Sequence, residues 1–283
     1  MSRTVFLNGE YMPEEDAKIS IFDRGFLMAD GVYEVVSVLD GKLLEFGGHL
    51  ARLERSLSEL DMGKPKDFDN LLEINRELVK LNNIDSGRVY WQITRGAADR
   101  DFVYPKDAEP TLVLFTQVAG LIDTPASKTG IKVIFAEDQR WGRRDIKTVQ
   151  LLYPSMCKMM AKAAGKDDAW LVEDGKITEG SSNNAYIVKG NQIITRELSN
   201  DILHGITRAS VLRLANEAQM TVVERSFTEA EARDADEAFI TSATTFVQPV
   251  VEVDNTKIGD GTPGPIAKRL LEIYIDESRK TGI

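Results

Sequence analysis

Three short segments of the chain combine residue types that catalysis uses. The first, RWGRRDIKT, ends with Lys147 in a strand-like stretch after Arg140, Arg143 and Arg144. Neighbouring positive charge favours the neutral form of an amine, and a neutral lysine is the nucleophile of Schiff-base chemistry. A lone lysine is far more often a surface charge, however. The arginines also fit an ordinary solvated face of the protein.

The other two segments could hold a cationic ring and an anion. KITEGSSNNAYIV places Glu179 at the end of a predicted strand, where a carboxylate can keep a ring nitrogen protonated; an ordinary polar turn has the same pattern. In HGITRASVLRL, Gly205 precedes a predicted helix. The amides of Ile206 and Thr207 would be first-turn donors and so an anion site, although a helix entry without a ligand fits equally well.

Several other kinds of site are disfavoured by the residues present. The sequence contains no GxGxxG motif after a strand and no P-loop. Two histidines and one cysteine cannot form a usual structural zinc site, so we expect no metal. A Ser-His-Asp triad stays open, but no segment resembles a nucleophile elbow.

Charge, hydropathy and cysteine content limit the partners and the compartment that we expect for the protein. The net charge of −10 over 283 residues disfavours nucleic acid, which needs clustered Lys and Arg. No apolar run is long enough for a signal peptide or a bilayer span. The single cysteine, Cys157, rules out an intrachain disulfide and fits a reducing compartment. We therefore expect a cytoplasmic protein that does not bind membranes.

The first part of the chain reads as an α+β unit. The pattern predicts strands at 4–7, 17–22, 32–39, 87–95 and 111–118, and helices at 49–60 and 68–81. Asp40 and Gly41 form a predicted hairpin turn, since glycine tolerates the positive φ that such turns need. We predict an N-terminal α+β domain over residues 1–119.

The second part of the chain is richer in hairpins. The segment 120–130 is small, polar and Pro/Gly-bearing, so we predict an interdomain linker there. Strands are predicted at 131–136, 221–226 and 237–243, hairpins turning at Asp174-Gly175 and near Gly190, and helices near 156–164, 207–218 and 265–277. Hairpins with interspersed helices favour α+β over a doubly wound sheet. Residues 131–283 form the predicted second domain.

The order of the motifs DRGF, DGVYEV, HLAR, TRG, RRDIKT, TEGSSN and GITR resembles the fold-type IV pyridoxal-phosphate (PLP) enzymes nearly from end to end, and most of all the D-amino-acid transaminases. The DIK, TEGSS and GITR blocks together are specific for the group and much weaker for the substrate. The resemblance implies PLP as the cofactor, a homodimer, and a two-domain α+β fold. The smaller N-terminal domain would be α+β and the larger C-terminal domain β-barrel-like, with the cofactor between them.

The resemblance also assigns roles to individual residues. It implies that Lys147 carries PLP as a Schiff base, that Glu179 pairs with the pyridine nitrogen, and that Arg52 grips the phosphate. The other cofactor contacts that it implies are Ser181 and Ser182, Leu203 behind the ring, the amides of Ile206 and Thr207, and the Ala243–Thr244 segment.

The substrate carboxylate would be held by Tyr33 and Arg100. Two positions depart from the family pattern. Phe102 stands where the family often has a histidine, and Ala243 where a phosphate-binding threonine is common; Ser242, Thr244 or a backbone amide could replace that threonine.

The implied reaction is transamination between a D-amino acid, such as D-alanine, and a 2-oxo acid, such as 2-oxoglutarate. Sibling activities stay open: (R)-selective amine transamination, which Phe102 would suit, and transamination of branched-chain L-amino acids. An aminodeoxychorismate lyase or a PLP-binding protein without turnover is a more distant alternative. Conversion of the holoprotein to its pyridoxamine form by D-alanine alone would separate a transaminase from these last two.

Overall fold

The structure is a computed structural model that describes residues 2–283, and the chain divides into two compact units. The first unit contains the chain up to Gly120, together with Ile146–Gln150 and Thr281–Ile283. The second contains Leu121–Asp145 and Leu151–Lys280.

These units differ from the predicted domains in two segments. The expected linker 120–130 carries a short helix, and from Leu121 onward it belongs to the second unit. The segment around Lys147, expected in the second domain, belongs to the first. The reason is packing: Ile146 is buried in the core of the first unit, and Thr148 forms a backbone bridge with Val32.

The first unit is a six-stranded antiparallel sheet covered by helices. Its strands are β1 (Thr4–Leu7), β2 (Glu10–Pro13), β3 (Gly31–Leu39), β4 (Lys42–Leu43), β5 (Gly87–Thr94) and β6 (Thr111–Val118), in the order β2-β1-β6-β5-β3-β4. Its helices are α1 (Arg24–Met28), α2 (Phe46–Glu59) and α3 (Leu71–Leu81), and a 3₁₀ turn at Phe68–Asn70 precedes α3.

The core of this unit follows from two periodicities. On β5, every second side chain points inward, so that Val89, Trp91 and Ile93 are fully buried. On α2, Leu53 and Leu57 lie one turn apart on the face that packs on the sheet. Asp40 and Gly41, at the predicted hairpin turn between β3 and β4, both have positive φ, 52° and 71°, as a type I′ turn requires.

The second unit contains the larger sheet. Its strands are β7 (Ile131–Glu137), β8 (Asp168–Glu173), β9 (Lys176–Gly180), β10 (Asn184–Lys189), β11 (Gln192–Thr195), β12 (Thr221–Glu224), β13 (Glu237–Ser242), β14 (Phe246–Val253) and β15 (Thr256–Lys257). Its helices are α4 (Pro125–Thr129), α5 (Leu152–Ala163), α6 (Ile206–Glu217), α7 (Glu229–Arg233) and α8 (Pro265–Thr281). The strand order is β12-β11-β10-β13-β14-β7-β8-β9, with β15 beside β14.

This sheet is mixed and curls into a half-barrel. β7 pairs in parallel with both β8 and β14, and β11 pairs in parallel with β12. The concave core contains Trp170 and Phe227, whose rings meet edge to face at 6.0 Å. The predicted α+β fold class, with a larger barrel-like unit, is confirmed.

Two sequence-based expectations about strands were wrong. Residues 17–22 form no strand, and Ile21 and Phe22 within them are exposed. The alternating pattern is present there, but a strand also needs a partner edge. Conversely, β14 was missed because Gln248 and Pro249 interrupt its apolar run, and a proline argues against a central strand. Among residues 2–283, no helix is both long and apolar enough to cross a lipid bilayer.

Gly96 is predicted to be essential for the stability of the first unit. Its φ is +94°, and a Cβ there would lie 2.0 Å from the carbonyl oxygen of Glu109. Gly175 is a matched control, because its φ is +72° but a Cβ would meet nothing within 4 Å. We expect Gly175→Ala to lower the free energy of unfolding by about 1 kcal/mol. Gly96→Ala should cost about 3 kcal/mol or more, because the backbone of Glu109 must also move. Equal losses in urea denaturation would contradict this account.

Candidate active site

Lys147 lies beside the start of β3. The segment that carries it runs antiparallel to this strand: the Tyr33 amide donates to the Lys147 carbonyl at 3.0 Å, and the Val149 amide donates to the Gly31 carbonyl at 3.0 Å. The Lys147 Nζ stands 4.4 Å from the centre of the Tyr33 ring. Two residues that the sequence predicted to act together, Lys147 and Tyr33, are therefore neighbours in the first unit.

Tyr33 is held in place by a stack of aromatic rings. Its ring lies 5.5 Å from that of Tyr90, which in turn lies 4.8 Å from Phe115. The Tyr90 hydroxyl donates to the side-chain carbonyl oxygen of Gln92 at 2.8 Å. Because neighbouring strands β3, β5 and β6 each contribute one ring, the sheet itself fixes the Tyr33 side chain beside Lys147.

Arg52, the predicted phosphate ligand, lies in a buried cluster with Glu34. The Nε and Nη2 of Arg52 donate to the two oxygens of Glu34, each at 2.7 Å, and the Nδ1 of His49 lies 2.7 Å from Glu34 Oε2. Glu34 and Tyr33 are adjacent on β3, so their side chains point to opposite faces of the sheet. Arg52 is thus on the helix-covered face, with its positive charge compensated by Glu34.

Burial alone would raise the pKa of Glu34. Arg52, and then His49, more than offset that effect and lower the pKa to about 2. Glu34 therefore stays ionised, and the bidentate contact fixes the plane of the Arg52 guanidinium.

Arg100 lies in the exposed loop between β5 and β6. Its guanidinium carbon is 5.4 Å from the centre of the Phe102 ring, and that ring is 78% exposed. Within residues 2–283, Arg100 forms no ion pair with its neighbours Asp99 and Asp101. Its charge is thus presented to solvent rather than neutralised inside the loop.

Two buried arginines anchor the base of this loop. Arg24 and Arg95 both bind Asp30 Oδ2, at 2.7 and 2.8 Å. Arg24 Nη1 also donates to the carbonyl of Asp101 at 2.6 Å. The Arg95 guanidinium lies 3.5 Å from the centre of the Tyr104 ring, a cation–π contact. The loop is therefore held on both sides of Phe102, while Phe102 itself projects into solvent.

In the second unit, Glu179 is a buried carboxylate with three donors. Arg140 Nη1 donates to Oε1 at 2.7 Å, Asn184 Nδ2 donates to Oε2 at 3.0 Å, and the Leu203 amide donates to Oε2 at 3.1 Å. The Leu203 amide also lies 3.3 Å from Oε1, so that it is shared between the two carboxylate oxygens and three donors fix the carboxylate plane. Burial raises the pKa of Glu179 above its ordinary value, and Arg140 and the Leu203 amide limit that rise.

The arginines that precede Lys147 in sequence are all paired with acids. Arg140 binds Asp138 and Glu179, Arg143 binds Asp145, and Arg144 binds Glu173. The sequence argument that these arginines act on Lys147 as a cluster of positive charge is therefore wrong, because a carboxylate compensates each of them.

Ser181 and Ser182, two further predicted cofactor contacts, have different surroundings. Ser181 is buried, and its hydroxyl donates to Oδ1 of Asp168; Asn183 Nδ2 donates to the other oxygen of Asp168 at 2.8 Å. Ser182, between them, is exposed. The Ser181 side chain thus secures the turn that follows Glu179, and Ser182 is the one presented to solvent.

The predicted phosphate ligands of the second unit lie at one end of the neighbouring strands β10 and β13. α6 begins after Gly205, which has no side chain to cap the first-turn amides of Ile206 and Thr207. A Cβ on Gly205 would lie 2.1 Å from Asn184 Oδ1, so the helix start is pressed against the start of β10. Asn184 faces Thr241 at the end of β13.

The turn 243–245 follows that same end of β13 and adds hydroxyl groups. Ser242 Oγ lies 3.3 Å from Thr244 Oγ1 and 2.8 Å from Thr245 Oγ1. Although Ala243 replaces the threonine that the family often has, the residues on either side of it, Ser242 and Thr244, supply hydroxyl groups. Helix-start amides and hydroxyls together form a donor set suited to a phosphate ester.

Sequence reasoning missed the residues that hold the predicted ones. Arg140, Asp138 and Asn184 position Glu179, and Glu34 positions Arg52. Only Glu34 could have been identified from the sequence, because it is the one charged residue on the inward-facing positions of an otherwise apolar strand.

Known proteins match this chain over most of its length. The sequence model of the amino-transferase class IV family matches residues 31–253. A D-alanine aminotransferase of Bacillus licheniformis is 38% identical over 283 residues, which cover 98% of this chain and 99% of the relative. A D-alanine aminotransferase of Staphylococcus aureus (strain MW2) is 36% identical over 271 residues, covering 95% of each chain.

Solved structures give the same picture of the fold. A branched-chain amino acid aminotransferase from T.th., solved with pyridoxamine 5'-phosphate, has a TM-score of 0.90 at 27% identity and covers 98% of this chain and 94% of that one. The branched-chain enzyme of Escherichia coli reaches 0.91 at 22% identity, covering 98% and 95%. The latter likeness supports the fold alone.

The buried Glu34 predicts a specific loss of stability in acid. Its folded-state pKa of about 2 lies below the ordinary value of 4.5, so its stabilisation is complete above pH 4.5 and disappears as the pH falls towards 2. The shift corresponds to about 3 kcal/mol. In urea denaturation from pH 5 to 2, the stability difference between wild type and Glu34→Gln should shrink by about that amount. Glu73→Gln, which removes an exposed partner of Arg76, should keep the wild-type profile; a constant difference for Glu34→Gln would contradict the assignment.

Proposed function

The chain belongs to the amino-transferase class IV family, and from that premise we propose that it transfers the amino group of a D-amino acid, such as D-alanine, to a 2-oxo acid, such as 2-oxoglutarate. The D-alanine aminotransferase relatives span nearly the whole chain, which supports this substrate class. The observation that carries the chemistry is Glu179, a buried carboxylate held in place by Arg140, Asn184 and the Leu203 amide.

PLP is the cofactor of this family. When bound, it supplies a protonated ring that draws electrons away from the substrate α-carbon. The residues present fit such a group. Glu179 offers an anionic acceptor for a ring N–H, and the start of α6 and the turn 243–245 offer amides and hydroxyls for a phosphate.

Each predicted residue then has a role in the proposal. Lys147 Nζ would hold the cofactor covalently and, once the substrate amine has displaced it, would move the proton at the substrate α-carbon as a free amine. Glu179 holds the ring N–H. Ile206 and Thr207 donate their amides to the phosphate, and Arg52, oriented by Glu34, contributes positive charge to it.

The remaining cofactor contacts in the proposal act in part through the backbone. Leu203 packs behind the ring while its amide and carbonyl bind Glu179 and Asn184. Ser182 offers an exposed hydroxyl, and Ser181 secures the turn through Asp168. Thr244 stands in for the hydroxyl that Ala243 lacks.

We also propose a homodimer that works in the cytoplasm. Large apolar side chains are exposed in both units, among them Phe102 and Val103 in the first and Leu152 and Met159 in the second. Neighbouring exposed apolar side chains of this kind suit a surface that associates with another subunit. The one cysteine, Cys157, is free and buried, which fits a reducing compartment.

Lys147 is predicted to be the only lysine modified when the cofactor is fixed in place by borohydride. We expect peptide mapping of the reduced holoprotein to find the pyridoxyl group on Lys147, and Lys147→Ala to lose nearly all activity. Lys158→Ala is a suitable control, because Lys158 pairs with Asp168 instead. A label on any other lysine would overturn the assignment.

Arg100 is predicted to select substrates that carry an α-carboxylate. Its exposed guanidinium can bind a carboxylate through two N–H groups, and the Tyr33 hydroxyl is one more donor. We expect Arg100→Ala to lower kcat/KM for D-alanine by about tenfold to a hundredfold, because the charged contact to the substrate carboxylate is lost. The value for (R)-1-phenylethylamine, which has no carboxylate, should change little.

The matched control for this experiment is Arg88→Ala, whose guanidinium binds Gln117 on the sheet. An unchanged D-alanine value in Arg100→Ala would exclude the carboxylate role. Branched-chain L-amino acids belong in the same panel, since a structural neighbour at 27% identity is a branched-chain enzyme; higher kcat/KM for these would replace the D-amino-acid proposal.

A further inference from the structure

Arg140 binds two carboxylates at once, and only one of them belongs to the proposed site. Its Nε and Nη2 donate to the two oxygens of Asp138 at 2.9 and 2.7 Å, while Nη1 donates to Glu179 at 2.7 Å. Its side chain is 14% exposed, Glu179 4% and Asp138 0%. The Asp138 contact fixes the plane of the guanidinium, and that plane aims Nη1 at Glu179.

Asp138 is itself fixed from several directions. The hydroxyl of Thr178, the neighbour of Glu179 on β9, donates to its Oδ2 at 2.7 Å. Its own amide donates to the Val172 carbonyl at 2.8 Å, and Arg144 Nη1 lies 3.5 Å from its Oδ2. Burial alone would raise the pKa of Asp138, but Arg140, Thr178 and Arg144 hold it below its usual range. Asp138 thus serves as a permanent anchor for Arg140.

The five ionisable side chains around Asp138 and Glu179 carry a net charge of −1 when all are ionised. Arg140 and Arg144 are positive, and Asp138, Glu173 and Glu179 are negative when ionised. The other titratable group that interacts with Glu179 is the Tyr186 hydroxyl on β10, which binds Thr241. A cationic ring beside Glu179 would balance the excess. Without Arg140, a carboxylate as deeply buried as Glu179 would favour its neutral form.

We propose that Arg140 is a positioning residue: clamped by Asp138, it keeps the Glu179 carboxylate ionised and aimed before the cofactor binds, so that the ring nitrogen takes its proton from solvent and not from Glu179. This inference rests on the proposed pairing of Glu179 with the cofactor ring. Arg140 is the one charged donor among the three, since Asn184 and the Leu203 amide are neutral.

The proposal can be tested by counting protons when the apoprotein binds pyridoxamine 5'-phosphate. Calorimetry in buffers of different ionisation enthalpy gives this count, at a pH above the pKa of the free ring nitrogen. Wild type should take up about one proton more than Arg140→Gln, because in the variant the proton moves from the Glu179 carboxyl to the ring. Arg140→Lys, which keeps the charge but not the fork, should restore part of the uptake.

Controls separate this inference from the proposed function. Arg143→Gln, three residues along and paired with Asp145, should bind the cofactor with wild-type uptake. The ¹⁵N chemical shift of a labelled ring nitrogen should report a protonated ring in wild type and in Arg140→Gln, and an unprotonated ring in Glu179→Gln. Wild-type uptake in Arg140→Gln, with uptake lost in Glu179→Gln, overturns the inference alone. A protonated ring with full uptake in Glu179→Gln overturns the ring pairing itself.

A second measurement needs no Arg140 variant and so does not depend on how well that variant folds. The infrared difference between wild-type and Glu179→Gln apoprotein isolates the Glu179 group. We expect the band of an ionised carboxylate at neutral pH. A protonated carboxyl band that is absent from Glu179→Gln would overturn the inference.

Discussion

A buried carboxylate has to be matched by donors, and this requirement organises both units of the protein. Glu34 is matched by Arg52 and His49, and Glu179 by Arg140, Asn184 and the Leu203 amide. Leaving such a group unpaired costs several kcal/mol. The strands and loops that supply the donors therefore cannot shift independently of the carboxylate. Each acid acts as a fixed point, and the side chains proposed for catalysis and binding are placed relative to it.

Much of the fold could be predicted from local patterns. The hairpins at Asp40-Gly41 and Asp174-Gly175 followed from turn chemistry that depends only on neighbouring residues. β6 and the helices α2 and α3 followed from their periodicity. What could not be predicted depended on distant partners. Residues 17–22 have a strand-like pattern but pair with no strand, whereas β14 tolerates Pro249 because its pairing with β7 begins only at the next residue, Val250.

In the candidate site, too, residues in local motifs could be predicted and their distant partners could not. Lys147, Glu179 and Gly205 were identified because each stands in a short motif, and the structure places them in surroundings that suit their proposed tasks. The side chains that orient them come from elsewhere in the chain. Arg140 lies 39 residues before Glu179, and no sequence pattern in either segment predicts their contact. The sequence therefore predicted which groups react, and only the structure shows which side chains hold them in place.

The anchored loop between β5 and β6 has a consequence for how such a protein can diverge. Arg24 and Arg95 fix its base through Asp30 and Tyr104, while the tip around Phe102 stays in solvent. Changes at the tip remove few packing contacts, and surface substitutions of that kind usually alter stability by less than about 0.5 kcal/mol. New side chains can therefore accumulate at the tip without threatening the fold. Because we propose that Arg100 in this loop binds the substrate carboxylate, substitutions at the tip should change substrate selectivity while the fold stays intact.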